Sequence, residues 1–240
     1  MGPGKRDQDE SPGWPEYFAR QANACTNPAL KDFYAAGVPG EDQPIGDIPM
    51  MALDFETTGM DPREHAIVSI GMVPFDLRTI RPAAGRYWVV KPPHSLREES
   101  IAFHRITHSE VEHAPPIMAI LDEVLAALAG HLVVVHYRNI ERPFLDAAVM
   151  ASYREHCLFP LIDTMALEAR WEREGRLQRL RRLLGTHPVS IRLADSRGRY
   201  GLPAYSSHHA KVDAMATAEL FQAQMARHFR TDTPVSELWL

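Results

Sequence analysis

Residues 50–59 read MMALDFETTG, an apolar run that leads into two carboxylates and a glycine turn. This pattern predicts a buried strand that ends in an acidic site. Side chains at positions i and i+2 of a strand project from the same face, so Asp54 and Glu56 would enter one small space. Two adjacent carboxylates repel each other there unless one is protonated or a divalent metal ion compensates them. We favour the metal site over the alternative, a solvated strand end that is merely acidic.

Another acidic residue follows a histidine near the C-terminal end of the chain. Residues 206–214 read SSHHAKVDA and open a helix whose apolar stripe contains Val212, Met215, Phe221, Met225 and Phe229. The helix is predicted to begin between His208 and Asp213. Asp213 would then be fixed on the helix, whereas His208 would stay on the preceding loop. This arrangement separates a static metal ligand from a mobile base.

These two segments resemble two motifs of the DEDDh 3′-5′ exonuclease superfamily, the group that includes the epsilon proofreading subunit of bacterial DNA polymerase III. The first motif, Asp-x-Glu-Thr-Thr-Gly, matches Asp54–Gly59, and the third, His-x-Ala-x-x-Asp-Ala, matches His208–Ala214. Both spacings agree with the family pattern. The resemblance covers about residues 50–230. It implies an α/β fold with a ribonuclease H-like mixed β-sheet flanked by helices.

The family's second motif, His-Asn-x-x-Phe-Asp after a hydrophobic strand, is matched less closely. Here the apolar run LVVV is followed by HYRNIERPFLD at residues 136–146. Aligning the motif on His136 places Glu141 at the metal-binding position and Tyr137 where asparagine is usual. Asp146 is the alternative ligand, but its position on a helix is rotated by roughly 140° from that of Glu141. We therefore predict Glu141 as the ligand, with an effect on the preference between Mg²⁺ and Mn²⁺.

The order of the other predicted elements agrees with this fold. Further strands, rich in β-branched or aromatic residues, are predicted at Ala66–Val73, Tyr87–Val90, Leu132–Val135 and Leu161–Thr164. Apolar residues at helical spacing predict a helix over about Pro116–Leu128. We expect an exonuclease domain at residues 50–230, preceded by an extension of short helices and a connector at 1–49 and followed by a C-terminal tail at 231–240.

The resemblance also implies a mechanism with two divalent cations, Mg²⁺ or Mn²⁺, which oxygen ligands suit better than zinc. By the family pattern, Asp54 would bridge both ions. Glu56 and Asp213 would complete the site of the ion that binds the nucleophilic water, and Glu141 would help to hold the other ion. His208 would take the proton from that water. Because neutral histidine is the active form, the rate should rise with pH through the histidine titration.

The activity implied is that of a metal-dependent 3′-5′ exonuclease that acts on the 3′ ends of single-stranded DNA or RNA and releases nucleoside 5′-monophosphates. Thr57, Thr58 and Gly59 match positions that meet the terminal nucleotide in the family. His104 occupies a similar loop position, although a capping or surface role fits it equally well. The alternative function is a catalytically weak nucleic-acid-binding or scaffolding relative, suggested by the imperfect second motif and the N-terminal extension.

The composition is typical of a soluble cytoplasmic enzyme. The chain has 240 residues, 45% of them hydrophobic, which suffices for one substantial core. No apolar run approaches the roughly 20 residues that span a membrane, and we expect no signal peptide. The net charge of −5 argues against a protein that coats long nucleic acids, since such affinity depends on lysine and arginine. An exonuclease grips a few terminal nucleotides, and its metal ions offset phosphate charge.

The extension at residues 1–49 contains aromatic residues, among them Trp14, Tyr17, Phe33 and Tyr34. We expect them to pack on the domain, because aromatic residues at helical spacing are usually core residues. The alternative is an arm that docks on a protein partner. The oligomeric state is left open by these patterns.

Overall fold

The fold is described from a computed structural model, which covers residues 13–93, 106, 108–173 and 188–240. His104, one of the residues expected near the substrate, lies outside these described residues. The α-helices of the described ranges are, in chain order, α1 (Trp14–Ala24), α2 (Pro28–Ala35), α3 (His108–Glu112), α4 (Leu121–Leu128), α5 (Glu141–Tyr153), α6 (Thr164–Glu172), α7 (Leu193–Arg199) and α8 (Ala210–His228). Short 3₁₀ turns lie at Ile45–Asp47, Pro82–Ala84, Ile117–Ala119 and Val235–Glu237.

A five-stranded sheet in the order β3-β2-β1-β4-β5 forms the centre of the domain. Its strands are β1 (Met50–Thr57), β2 (Ile67–Phe75), β3 (Arg86–Val89), β4 (Leu132–Val135) and β5 (Leu161–Asp163). The first three strands form an antiparallel meander, and β4 and β5 are added parallel to β1. Nearly all residues of β1, β2 and β4 are buried, as in strands that are covered on both faces. The predicted mixed α/β sheet is confirmed.

Successive residues of β1 point to opposite faces of this sheet. Leu53 and Phe55 belong to the core that α1, α2, α4 and α5 cover. Ala52 belongs to the core on the other face, which α8 covers. Because Asp54 and Glu56 continue the alternation that includes Ala52, they lie on the α8 face of the sheet.

The start of α8 lies directly on β2 at Gly71. A Cβ atom at this glycine would be 2.1 Å from the carbonyl carbon of Ala210 and 2.2 Å from the amide nitrogen of Lys211. Gly71 is also the residue opposite Asp54 in the pairing of β1 with β2. The absence of a side chain therefore permits the close approach that brings the first turn of α8 beside the acidic end of β1.

Helix α8 packs differently from its predicted stripe. Phe221 and Met225 are buried as expected, but Val212, Met215 and Phe229 are half-buried. Much of the buried face consists instead of small residues, namely Ala210, Ala214, Ala216 and Ala218. Small side chains are needed there because the helix lies so close to the sheet.

The N-terminal helices pack on the sheet domain. Phe18 and Tyr34 are buried, and the Tyr34 hydroxyl oxygen accepts a hydrogen bond from the Leu158 amide at 3.0 Å. Glu155 accepts hydrogen bonds from two backbone amides and a hydroxyl group at the start of α2. Aromatic side chains of this segment thus face the interior of the domain.

Two further segments differ in detail from simple expectation. The helix predicted over Pro116–Leu128 is divided, because the isolated bridge between Lys91 and Pro116 keeps the chain extended until a 3₁₀ turn leads into α4. Near the C-terminal end, Val235 and Leu238 are buried in the core beneath α8.

Within the described residues, no helix combines the length and the apolar character needed to cross a bilayer.

Candidate active site

The two carboxylates of β1 lie where the strand extends beyond its parallel neighbour. The pairing with β4 covers Met50–Ala52, so the later part of β1 has an open edge on that side. On the other side, the pairing with β2 shifts register between Glu56 and Thr57. Such an irregularity bends a strand and changes the direction of its side chains. Asp54 and Glu56 are therefore presented at the end of the sheet.

Asp213 lies in the first turn of α8 and holds the loop that precedes the helix. Its Oδ2 atom accepts hydrogen bonds from the amides of His208, at 2.8 Å, and His209, at 3.1 Å. His208 adopts a left-handed backbone conformation with φ of 69°, which is uncommon for a residue other than glycine. One carboxylate thus caps the helix start and fixes the turn that carries the candidate base.

Asp54, Glu56 and Asp213 converge at one point. Each offers a carboxylate oxygen, and these oxygens lie within 4.8 Å of one another. Burial raises the pKa of Asp54 well above its usual range, and the charges of Glu141, Asp213 and Glu56 raise it further. Burial and the charge of Glu56 also raise the pKa of Asp213. Such a cluster carries an electrostatic cost that a bound cation relieves.

Glu141 belongs to α5, which covers the other face of the sheet. It is the first residue of α5, is 2% exposed, and its Oε2 atom has no hydrogen-bond partner among the described residues. Burial raises its pKa well above the usual range, partly offset by the backbone groups of Glu141 itself and of Phe55. Because its charge acts on Asp54, Glu141 belongs to the same electrostatic group.

Asp146, the alternative second-motif ligand, forms its contacts outside the acidic cluster. Its Oδ1 atom accepts a hydrogen bond from the Cys157 amide at 2.8 Å and lies 3.1 Å from Nδ1 of His156. These contacts tie α5 to the segment that leads to β5. The side chain of Asp146 is therefore occupied by these contacts, whereas the charge of Glu141 acts on Asp54.

The loop that leads to Glu141 is organised by the carboxylate of Asp163. Its Oδ1 atom accepts the Tyr137 amide at 3.0 Å, and its Oδ2 atom accepts the Arg138 amide at 3.2 Å. The same side chain caps α6. Tyr137 has a positive φ of 99°, in a region that asparagine tolerates better than a bulky residue. The asparagine of the family motif suits this backbone, and the hydrogen bond to Asp163 holds Tyr137 in it.

His208 and His209 have different surroundings. Both side chains are exposed. The His209 ring stacks on Tyr87 of β3, with ring centres 4.4 Å apart and planes 23° apart. The His209 ring is therefore held against the edge of the sheet, whereas the His208 side chain projects from the loop.

The turn after β1 uses its threonine hydroxyl groups to fix its own shape. Thr57 donates to the Gly59 carbonyl oxygen at 2.6 Å, and the Thr58 hydroxyl oxygen accepts a backbone amide at 3.0 Å. A Cβ atom at Gly59 would lie 2.2 Å from the His65 ring. The next residue, Met60, is 63% exposed. Sequence reasoning missed Met60, since an apolar residue is ordinarily expected to be buried.

Tyr205 is a second residue that sequence reasoning missed. Its ring lies 4.9 Å from the guanidinium carbon of Arg197, and its hydroxyl group partly offsets the rise that burial causes in the pKa of Asp213. The one available signal was an aromatic residue in an otherwise small and polar loop, and that pattern has many explanations.

The donor set fits divalent cations such as Mg²⁺ and Mn²⁺, which prefer carboxylate oxygens. Asp54, Glu56 and Asp213 already converge within 4.8 Å. The unpartnered Oε2 atom of Glu141 is a buried acceptor that the described protein groups leave unsatisfied. Because such an acceptor is costly, a cation at this place would stabilise it.

A mixed sheet with acids from β1, α5 and α8 at one end defines the class of nucleases to which this chain is related. The family RNase_T, described as exonuclease, matches residues 51–221. The chain belongs to this exonuclease family.

Two relatives are replication proteins. The DNA polymerase III subunit epsilon of Treponema pallidum (strain Nichols) is 26% identical over 181 residues, which are 75% of this chain and 78% of the relative. The PolC-type DNA polymerase III of Thermotoga maritima is 29% identical over 181 residues, which are 75% of this chain. That match spans 12% of the length of the PolC-type relative.

Among solved structures, the nuclease domain of 3′hExo, a DEDDh family member bound to rAMP, has a similar fold. Its TM-score is 0.59 at 16% sequence identity, and the match covers 75% of this chain and 92% of that domain. The predicted ribonuclease H-like fold is therefore confirmed. The predicted membership of the DEDDh superfamily is confirmed by the family match and the epsilon relative together.

Proposed function

We propose that this chain is a metal-dependent 3′-5′ exonuclease that releases nucleoside 5′-monophosphates from single-stranded DNA or RNA. The observation that carries the proposal is the convergence of Asp54, Glu56 and Asp213 at one point, with the unpartnered oxygen of Glu141 in the same electrostatic group. Three separate elements, β1, α5 and α8, supply these four acids. Membership of the exonuclease family supports the same activity.

The four carboxylates would hold two divalent cations, Mg²⁺ or Mn²⁺. The charges of the other three acids all act on Asp54, and by the family resemblance this side chain would contribute to the sites of both ions. Glu56 and Asp213 would hold the ion beside the attacking water, and Glu141 would hold the ion beside the leaving 3′-oxygen. When bound, such ions neutralise phosphate charge and favour deprotonation of water.

His208 would act as the general base. Its exposed side chain stands on a loop whose backbone is bonded to Asp213 at 2.8 Å, so the base is kept near the acids without being one of them. The neutral imidazole would take a proton from the attacking water. His209 is the weaker candidate, because its ring is stacked on Tyr87.

The turn Thr57–Gly59 would meet the terminal nucleotide of the substrate. Its backbone shape is fixed by internal hydrogen bonds, and Met60 beside it offers apolar surface on which a base could stack. His104 is proposed as a further substrate contact from the resemblance. With a net charge of −5, the chain would depend on bound cations to tolerate a polyanion.

A gel time course on 5′-labelled single-stranded DNA and RNA tests this function and the choice of ligand. Reactions contain Mg²⁺, Mn²⁺ or chelator, and the Glu141→Gln and Asp146→Asn variants are matched, since both keep size and remove one charge. The amide oxygen introduced by Asp146→Asn still accepts the Cys157 amide. We expect a metal-dependent ladder that shortens from the 3′ end, kept in Asp146→Asn and reduced by about 100-fold or more in Glu141→Gln.

The neighbouring histidines provide the test of the base. His208→Ala should lower kcat by about 10²- to 10⁴-fold and leave Mn²⁺ binding intact, whereas His209→Ala should have a much smaller effect. Equal losses in both variants would contradict the assignment. Oligonucleotide binding without any ladder, with either metal, would favour the non-catalytic scaffolding relative instead.

A further inference from the structure

We infer that His209 positions the candidate base His208 by stacking on Tyr87, so that the edge strand β3 supports the loop before α8. The inference rests on the proposed function, in which His208 takes the proton from the attacking water. His209 and Tyr87 would be positioning residues. Both would act through His208 and would contact neither the substrate nor the metal ions.

His208 depends on its neighbours because of its backbone conformation. Its φ of 69° lies in the left-handed region, which is unfavourable for a residue with a side chain. Its side chain is exposed, and its amide donates to Oδ2 of Asp213 at 2.8 Å. A bond at the amide alone does not fix the direction of the side chain, because this direction also depends on the course of the chain after His208. The next residue must therefore help to hold the loop.

That next residue, His209, occupies the N-cap position of α8 without using its side chain as a cap. Serine, threonine, aspartate and asparagine are preferred at this position, because their short side chains accept hydrogen bonds from the first helical amides. The His209 side chain forms no such bond to the helix. Its own amide donates to Oδ2 of Asp213 at 3.1 Å. The backbone of His209 is thus bonded to the helix, and its ring makes a separate contact.

The ring of His209 stacks on Tyr87 of the edge strand β3. The ring centres are 4.4 Å apart and the planes are 23° apart. Tyr87 pairs with Gly71 of β2, and Gly71 lies against Ala210 at the start of α8. Because paired residues share a face of the sheet, Tyr87 lies on the face that α8 covers. The stack therefore ties the residue after the candidate base to the sheet.

A second contact joins the same two segments. The Nζ atom of Lys211 donates to the Gly85 carbonyl oxygen at 3.1 Å. Gly85 directly precedes β3, and a Cβ atom there would lie 2.8 Å from Cε of Lys211. The start of α8 is thus held by β3 and by the residue before this strand. The two contacts together make the edge strand a support for the loop that carries His208.

Steady-state cleavage of 5′-labelled single-stranded DNA and RNA with Mn²⁺ tests the inference. His209→Ala removes the stacked ring and keeps the backbone amide that bonds Asp213. We expect kcat to fall about 10-fold, because the base is less well placed. KM and the Kd for Mn²⁺, measured by the electron paramagnetic resonance of free Mn²⁺, should stay within about twofold of the wild type. His209→Phe keeps a ring that can stack on Tyr87 and should restore kcat to within about threefold.

The other end of α8 provides a matched control. His228 is also an exposed histidine, and its ring stacks on Trp171 with centres 3.8 Å apart and planes 10° apart. It lies about 22 Å along the helix axis from Asp213. His228→Ala removes a comparable stack and should leave kcat within about twofold of the wild type. A loss of kcat that came only from reduced stability would appear in both variants, and thermal denaturation compares their Tm values.

A double-mutant cycle separates positioning of the base from other roles of the stack. In a His208→Ala background, His209→Ala should cause no further fall in kcat, since the residue that it positions is already absent. Tyr87→Leu should lower kcat in the same way as His209→Ala, because it removes the other ring of the stack. It provides a second variant if His209→Ala folds poorly.

The outcomes distinguish this inference from the proposed function. Unchanged kcat in folded His209→Ala, equal losses in His209→Ala and His228→Ala, or a further loss in the His208→Ala background would overturn the positioning role and leave the exonuclease proposal standing. A raised KM, or failure of His209→Phe to restore kcat, would also overturn it and would indicate direct contact of the imidazole with substrate. A wild-type chain that cleaves neither polymer would overturn both proposals.

Discussion

At Asp54, the requirements of folding oppose those of the proposed metal binding. Its burial and the three acids around it raise its pKa. A carboxyl group whose pKa is higher in the folded than in the unfolded chain binds protons more tightly when folded. Stability therefore falls as pH rises from the unfolded toward the folded pKa, and the full cost is present above the folded pKa.

The Asp54→Asn variant should consequently be more stable than the wild type in chelator at neutral pH. The substitution removes a buried charge that Glu141, Asp213 and Glu56 repel, so we expect a higher Tm in chelator. Thermal unfolding with and without Mn²⁺ measures both effects. Mn²⁺ should raise the Tm of the wild type and leave that of the variant unchanged. A variant that is less stable than the wild type in chelator would contradict the electrostatic account.

Tyr137, in the loop before Glu141, has a positive φ of 99°. This backbone conformation is strained for a residue other than glycine. Alanine is strained in such a conformation by about 1–2 kcal/mol, whereas glycine is not. Both substitutions remove the same ring, so the difference between their free energies of unfolding reports the backbone strain alone. We expect Tyr137→Gly to be more stable than Tyr137→Ala by about 0.5–1 kcal/mol in denaturant unfolding. At the exposed helical position Ala151, the control Ala151→Gly should destabilise by a similar amount.

At the scale of elements, the acidic site depends on the crossing of α8 over β2. Asp54 and Glu56 are on a strand, and Asp213 is on a helix that touches the neighbouring strand at Gly71. The relative placement of these two elements sets the distance between the ligands. The packing of the helix on the sheet is therefore part of the proposed metal site.

Gly71→Ala tests this dependence. The new methyl group would meet backbone atoms of Ala210 and Lys211, which cannot rotate away. We expect a loss of stability of about 1–3 kcal/mol and weaker Mn²⁺ binding, because the start of α8 is displaced from β1. Gly198→Ala is the control, since a Cβ atom at Gly198 in α7 meets no atom within 4 Å. The control should be neutral or stabilise by up to about 1 kcal/mol. Unchanged Mn²⁺ affinity in Gly71→Ala would show that the crossing does not set the ligand geometry.

At the scale of the whole molecule, the chain before the first strand contributes to the fold. Tyr34 is 1% exposed, and its hydroxyl group bonds both the amide and the carbonyl oxygen of Leu158, at 3.0 and 3.2 Å. The aromatic residues on which a partner-docking arm would depend, Phe33 and Tyr34 among them, are buried inside the domain. A partner at residues 13–49 would therefore meet the polar outer face of these helices.

Tyr34→Phe should lower the free energy of unfolding by about 0.5–1.5 kcal/mol, because it removes the part-buried hydrogen bonds between the Tyr34 hydroxyl group and the backbone of Leu158. Tyr153→Phe removes a hydroxyl group that bonds Asp122 at an exposed position, and its effect should stay within about 0.5 kcal/mol. Urea denaturation of the full chain gives both values. Similar small effects for the two variants would indicate that α2 docks without the help of this bond.

The amino-acid sequence by itself determined the features that depend on local geometry. Alternation along one strand places Asp54 and Glu56 on the same face, and the helix start between His208 and Asp213 follows from capping and periodicity. The strands of the sheet could be predicted for the same reason. These patterns arise within a few residues, so no knowledge of distant contacts is needed.

The tertiary structure decided which residues complete the site. The Asp146 carboxylate accepts the Cys157 amide, whereas the charge of the buried Glu141 acts on Asp54, and the loop before Glu141 is held by Asp163. The loop that carries Tyr205 is likewise joined to α8 through Arg197, which donates to the carbonyl oxygens of Pro203 and Ala216. Such contacts join residues that are far apart in the chain or carry no periodic pattern, and their free energy becomes available only when the sheet and helices have packed together.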